Sequence, residues 1–406
     1  MPFKQLSMTP GLRTQSTSRI PELDGIRGLA ILMVVCFHYC SGLSGRSALA
    51  IFANDVISFG WTGVDLFFVL SGFLIGGMLI DHRDSGGYFK TFYIRRVCRI
   101  WPVYFLWIGA FLALRAALSS QASSSWYSET FVPIHPFWNY FLFLQNFWMK
   151  FGAGDAPWTS VTWSLCIEEQ FYLVMPLIIW IVSPRKLPAL LATLVALVFL
   201  YRCYLDIHSR AYVYVLTSCR VDSLIIGVLC AWLVRNPRLE NLIRRRCDWL
   251  YLIFVILSCG MAYFVFSRRG GDANSFDVCT WGFTWIALFY ASLLLLAITD
   301  KSGWLGRFMR NPLLRHFATI SYCVYLIHMQ VLTFINFLFF HKLSIPETNF
   351  TNGLAIVLGL PTTWLLAVSS WIYVERPIIE WGHSFRYGNC GRLKQNRTES
   401  LINPGS

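Results

Sequence analysis

Long apolar stretches alternate along the chain with short polar, mostly basic connectors. Each stretch is long enough for a helix rising 1.5 Å per residue to cross about 30 Å of hydrocarbon. The pattern predicts spans near 26–43, 58–80, 97–118, 161–182, 188–205, 211–234, 249–266, 279–298, 318–340 and 351–373. An all-α polytopic membrane bundle of about ten transmembrane helices follows from it. The run 136–149, PFWNYFLFLQNFWM, is apolar but short, and it is expected not to cross. Residues 1–20 and 382–406 are polar and read as tails on either side of one membrane domain, 21–381.

Charge then sets the expected sidedness. With 136–149 not crossing and the N-terminus inside, few basic residues outside the spans face outward. They are Arg46, Lys150, Arg210, Arg268, Arg269 and Lys342. Inner loops of membrane proteins carry the excess of Lys and Arg. A crossing at 136–149 would swap every later loop and erase the bias. Both termini are therefore expected in the cytoplasm, with the chain multi-pass in the cytoplasmic (inner) membrane.

Composition agrees: 56% of residues are apolar and 14% charged, against about 25% charged in soluble domains. The net charge of +13 would suggest nucleic acid on a soluble protein. Here the inner loops absorb it, and no nucleic-acid partner is expected. Twelve cysteines lie mostly in apolar runs without CxxC or zinc-ligand spacing, so neither a metal nor a disulfide framework is expected. Leu29–Phe37 followed by Ala48-Leu49-Ala50 has the outline of a signal peptide. The long preceding tail, and Asp24, Arg27 and His38 around the run, argue for a retained first span.

Ionisable groups inside spans are costly and mark pathways or chemistry. Counted along their helices, His38, Asp65, Glu168, Glu169, Arg220, Asp222 and His328 fall in one slab between the midplane and the outer leaflet. For Arg220 with Asp65 or Asp222 a structural ion pair is the simpler reading. The whole set, two histidines with several carboxylates, suits proton transfer. A histidine can take a hydroxyl proton near neutral pH, and a carboxylate can fix its tautomer. His38 is the expected base, oriented by Glu168, Glu169 or Asp65. Arg220, Ser71, Trp163 and Tyr322 are candidate oxyanion donors.

A second group sits at the inner surface. Arg27 follows Glu22 and Asp24 at the foot of the first span, and FYIRRVCRIWP brings Arg95, Arg96 and Arg99 to the start of the third. Arg95 and Arg99, at i,i+4, share a helix face. Arginine's donor fork suits phosphate, although membrane anchoring explains the group equally well. The outer loop 119–160 is rich in aromatics, including Trp126, Tyr127, Phe131, Trp138, Phe147, Trp148 and Trp158. It reads as an interfacial belt or as a stacking platform for a sugar.

Six stretches carry a family resemblance: PELDGIRGLAILMVVCFHY, GWTGVDLFFVLSGFLI, FYIRRVCRIWPVYF, TWSLCIEEQFYLVMPL, CRVDSLIIGVLCAWL and SYCVYLIHMQV, in that order. Together they resemble membrane acyltransferase family 3 over about 20–380. The resemblance implies a ten-helix fold and transfer of an acyl group, commonly acetyl from acetyl-CoA, to carbohydrate hydroxyls of O-antigen, exopolysaccharide or macrolide sugars. Acyl-CoA is then a co-substrate, and no cofactor is expected to be tightly bound. By position, Arg27 and His38 match the family's essential first-span pair, and Arg95, Arg96 and Arg99 its basic motif. Glu168 and Glu169 match its acidic pair, and His328 its SYxxYLxH-like segment. Glu375-Arg376-Pro377 matches its closing motif. Asp24, Arg220, Asp222 and Tyr322 are expected in support.

Some members carry a further span and an extracytoplasmic hydrolase-like domain. Neither is read here, so that step is expected to be intrinsic or done by a polysaccharide-biosynthesis partner. The expected partners are the bilayer, acyl-CoA and a carbohydrate acceptor. A transporter using the midplane charges is the competing reading, and a scaffold for polysaccharide enzymes the third.

Overall fold

The computed structural model describes residues 20–40, 47–121, 127, 131, 136–149, 158–209, 213–266, 272–340 and 349–388. Helix α1, Pro21–Cys40, starts with proline at its first position and with Glu22 and Asp24 in its first turn. The rigid φ of proline and the positive helix N-terminus favour that start. Helices α2, Ala48–Ser58, and α3, Gly63–His82, join through a 3₁₀ turn at Phe59–Thr62. Then come α4, Tyr88–Ala117; α5, Trp138–Leu142; α6, Gln145–Met149; α7, Trp163–Ile181; and α8, Leu187–Ser209. Next are α9, Thr217–Leu233; α10, Pro237–Arg245; α11, Cys247–Phe266; α12, Phe283–Thr299; α13, Trp304–Met309; and α14, Pro312–Phe340. Helix α15, Asn349–Ser370, leads through a π-helical turn, Trp371–Glu375, into α16, Arg376–Ser384.

Among the described residues, nine helical segments are long and apolar enough to cross a membrane. The tenth expected span is α9, whose 17 residues give about 25 Å of rise. It ends at Leu233, the Asn236 side chain caps α10, and the chain turns by 93° between them. The expected tails at 1–19 and 389–406 lie outside the described residues. Residues Gly382–Gly388, assigned by sequence to the polar tail, are held against α4, with a backbone bridge from Gly388 to Gly86.

Segment 136–149 forms the two five-residue helices α5 and α6, broken at Phe143, whose φ is 54°. Neither is long enough to cross. Helix direction agrees. Asp65 meets Arg220 and Asp81 meets Arg235, so α3 and α9 run parallel. Glu22 meets Arg310 just before α14, and His38 meets His328, so α1 and α14 also run parallel. A crossing at 136–149 would make both pairs antiparallel in an alternating bundle.

Glycines set several of the closest helix approaches. A Cβ at Gly28 would sit 1.8 Å from the Leu314 carbonyl oxygen, binding α1 to α14. A Cβ at Gly72 would lie 1.9 Å from the Leu224 oxygen, and one at Gly227 would lie 2.2 Å from that of Val69. In a bilayer, where apolar surface gives helices no reason to prefer each other over lipid, such small-residue contact is what holds them together.

Candidate active site

The sequence gathers the ionisable groups into one slab by depth. Packing separates them into three places. The first is a partly open cavity of about 110 Å³ between α1, α3, α4, α7 and α14. Arg27, Arg96 and Arg99 line it, with Ser71, Ser164, Glu168, Tyr172, Ser321, Tyr322 and Tyr325. Arg27 is within electrostatic reach of Asp24, Arg96, Tyr172 and Glu168. Tyr172 donates to Glu168 Oε2 at 2.9 Å, and the Ser71 and Tyr172 hydroxyls are 2.5 Å apart. Glu168 therefore sits on the arginine side of the site. Arg99 approaches Glu375, in the π-helical turn, at 3.8 Å. The Tyr322 hydroxyl donates to the Ile100 carbonyl at 2.8 Å.

Arg95 does not line this cavity. Its Nε and Nη2 donate to the Phe385 carbonyl at 3.1 and 2.7 Å, and its guanidinium lies over Tyr387. The i,i+4 spacing pairs Arg95 with Arg99 on one face, but i,i+3 pairs Arg96 with Arg99 equally well, and that is the face turned inward. Tyr387 stacks on His82 with ring centroids 3.9 Å apart, and burial raises its phenol above the ordinary range. Glu169 also points away from Glu168. The Trp101 indole donates to its Oε2 at 3.2 Å. Gln170 continues the divergence by donating to the Phe143 carbonyl and to Asn146.

The second place is a histidine pair. His38 Nδ1 lies 3.0 Å from His328 Nε2 and 3.0 Å from the Val34 carbonyl. His328 is fully buried, its Nδ1 2.8 Å from the Tyr325 carbonyl and 3.0 Å from that of Val324. Tyr39 donates to the His328 carbonyl at 2.9 Å. The partner found for His38 is thus a histidine where the sequence led us to expect a carboxylate. Tyr325 joins the first two places, because its side chain lines the cavity while its carbonyl holds His328.

The third place is a buried quartet. Asp65 pairs with Arg220 at 2.9 Å and Asp222 with Arg202 at 2.9 Å, and all four side chains are fully buried. Arg220 also lies 3.7 Å from the Phe283 ring centroid. Arg202 donates to the Cys219 carbonyl, and Thr284 donates to Asp222. Asp65, expected beside His38, is instead engaged by Arg220, as is the oxyanion candidate Arg220 by Asp65. Arg202 was not singled out from the sequence, although an arginine inside LVFLYRCYL is the kind of signal that finds such a residue.

The aromatics of segment 119–160 divide. Tyr127 and Phe131 are buried with Phe111, and Trp158 stacks on Trp107 at 4.5 Å. Trp138, Phe141, Phe147 and Trp148 remain exposed. Trp126 lies outside the described residues.

The family described as an acyltransferase domain, acyltransferase family 3, matches residues 20–372. The chain belongs to this family. A putative peptidoglycan O-acetyltransferase of Bacillus subtilis is 28% identical over 96% of this chain and 60% of its own length. A peptidoglycan O-acetyltransferase of Listeria monocytogenes is 24% identical over 90% of this chain and 57% of its own length. A putative O-acetyltransferase of Staphylococcus aureus is 28% identical over 78% of this chain and 51% of its own length. The chain thus spans between 51% and 60% of the length of these curated relatives. No solved structure matches it. The family's matched region contains every residue of the cavity and of the histidine pair.

Proposed function

We propose that this family member is a multi-pass O-acyltransferase of the cytoplasmic membrane that moves an acetyl group from acetyl-CoA to a carbohydrate hydroxyl. The observation that carries the reading is the cavity. Three arginines line one wall with a single carboxylate, Glu168, among them, and Tyr325 links the space to His38 through His328. An excess of guanidinium in a cavity suits a polyanion, and its fixed fork suits phosphate. The CoA phosphates would dock at Arg27, Arg96 and Arg99. His38 lies eleven residues above Arg27 on α1, roughly 16 Å at helical rise, about the reach of a pantetheine arm.

At that end His38 takes the proton of the acceptor hydroxyl as general base. The hydroxyl oxygen forms the ester bond to the acyl carbon while the carbon–sulfur bond breaks, and the proton leaves with the CoA thiolate. The basic loops favour CoA entry from the cytoplasmic side and acceptor entry from the opposite one. The names of the relatives favour a peptidoglycan sugar as acceptor over O-antigen or exopolysaccharide.

The test is transfer of radiolabelled acetyl from acetyl-CoA to peptidoglycan oligosaccharides in membranes holding the full chain. His38→Ala is expected to abolish transfer and keep acetyl-CoA binding. Arg27→Ala is expected to weaken that binding. Normal transfer by His38→Ala would end the general-base assignment. Passage of substrate across vesicles without acylation would favour a transporter.

A further inference from the structure

The histidine pair fixes more than the position of His38. His328 Nδ1 faces two carbonyl oxygens, of Tyr325 and Val324. Carbonyls only accept, so this nitrogen carries the hydrogen. In the neutral ring the lone pair is then on Nε2, which faces His38 Nδ1 at 3.0 Å. Two lone pairs do not meet at that distance, so His38 Nδ1 carries a hydrogen as well. The Val34 carbonyl on its other side is also an acceptor. The lone pair of His38 is therefore on Nε2.

We infer that His328 is the positioning residue of this site: it holds His38 in the Nδ1–H tautomer, so that Nε2 is the base, and it shares the proton that His38 gains. The inference rests on the reading of His38 as general base. The Val34 carbonyl cannot replace His328, because a carbonyl can accept the Nδ1 hydrogen bond but cannot take the proton onward. His328 Nε2 can do so. When the acceptor O–H breaks and a hydrogen forms on His38 Nε2, the Nδ1 hydrogen shifts toward His328 Nε2. The positive charge then spreads over both rings. It is discharged when the departing thiolate takes the proton back through His38. Among the described residues, the recorded polar partners of the His38 ring are His328 and the Val34 carbonyl. A second imidazole thus fills the place a carboxylate occupies in a catalytic triad.

Full-length protein in detergent, with radiolabelled acetyl-CoA and peptidoglycan oligosaccharides, tests this. In His328→Leu only the Val34 carbonyl still faces Nδ1–H and the group that can take the proton onward is gone, so kcat is expected to fall about 10²-fold, within the range of acid–base effects, with KM for acetyl-CoA nearly unchanged. In His328→Gln an amide oxygen can stand near the former Nε2 and restore much of that loss. Nitrogen-15 NMR of histidine-labelled wild type is expected to find hydrogen on His38 Nδ1 and none on Nε2. That measurement decides the tautomer even where a His328 variant fails to accumulate. Full kcat in His328→Leu, or hydrogen on Nε2 of His38, would overturn the inference. If His328→Leu is active while His38→Ala is inert, only the positioning role is lost. If His38→Ala is active too, the general-base reading falls with it.

Discussion

Two groups of arginines differ in burial and in charge balance. In the quartet, Arg202 and Arg220 meet Asp222 and Asp65 one to one, with all four side chains sealed from solvent. In the cavity, Arg27, Arg96 and Arg99 share one wall with Glu168, and Arg99 reaches Glu375 only at 3.8 Å. A balanced, closed set satisfies itself and ties helices together. An unbalanced, open set still has charge to give to a ligand. Burial, the count of opposite charges and access to space all separate the two groups.

The comparison can be broken first on the balanced side. Arg220→Leu leaves Asp65 buried without its counter-charge, and breaking one partner of such a pair costs about 3–5 kcal/mol. Thermal aggregation of the detergent-solubilised protein should show a large loss, which Asp65→Leu combined with Arg220→Leu should largely recover. A double variant as unstable as the single one would mean that the quartet contributes more than charge cancellation. On the unbalanced side, Arg96→Ala or Arg99→Ala should raise KM for acetyl-CoA by roughly tenfold or more, from the loss of a charge-assisted bond of about 1.5–3 kcal/mol. Arg96→Ala should leave thermal stability unchanged, and Arg99→Ala, which takes the counter-charge from buried Glu375 at 3.8 Å, should lower it less than Arg220→Leu does. An unfolding variant here would make the cavity arginines structural as well.

Tyr172→Phe sharpens the contrast within the cavity. It removes the hydroxyl that donates to Glu168 and touches Ser71, at a stability cost of about 1 kcal/mol. Acetyl-CoA titration should show whether a freed Glu168 competes for the arginines. The smallest effect is expected from Arg95→Ala, whose guanidinium holds the Phe385 carbonyl. KM should change by less than about twofold, the change expected of a lost contact outside the ligand space. Limited proteolysis near Phe385 should quicken. A KM effect as large as that of Arg96→Ala would return Arg95 to the donor site.

These distinctions mark where sequence reading stops. Depth was legible because helical rise is constant: the spans, the height of His38 above Arg27 and the cluster at the foot of α4 all follow from counting. Azimuth was not. Arg95 and Arg96 differ by about 100° of helical turn, and nothing in FYIRRVCRIWP says which faces in. Partner choice was less legible still. Asp65 sits beside Arg220 because Gly72 and Gly227 bring α3 onto α9. His38 meets His328 because α1 lies on α14. The quartet's fourth member, Arg202, comes from α8, a helix that carried no recognised motif.

Gly28 gives one of these contacts a mechanical meaning. Its α-carbon rests where any side chain would press on the Leu314 carbonyl. Ten residues on, roughly 15 Å along the same helix, the two imidazoles meet at 3.0 Å. The helices act as the blades of a pair of scissors whose rivet is a missing methyl group. A wedge at the rivet opens the tips, and a hydrogen bond has only a few tenths of an ångström of slack before it weakens. A single methyl at Gly28 would thus disarm chemistry it never touches, from the far end of the blade.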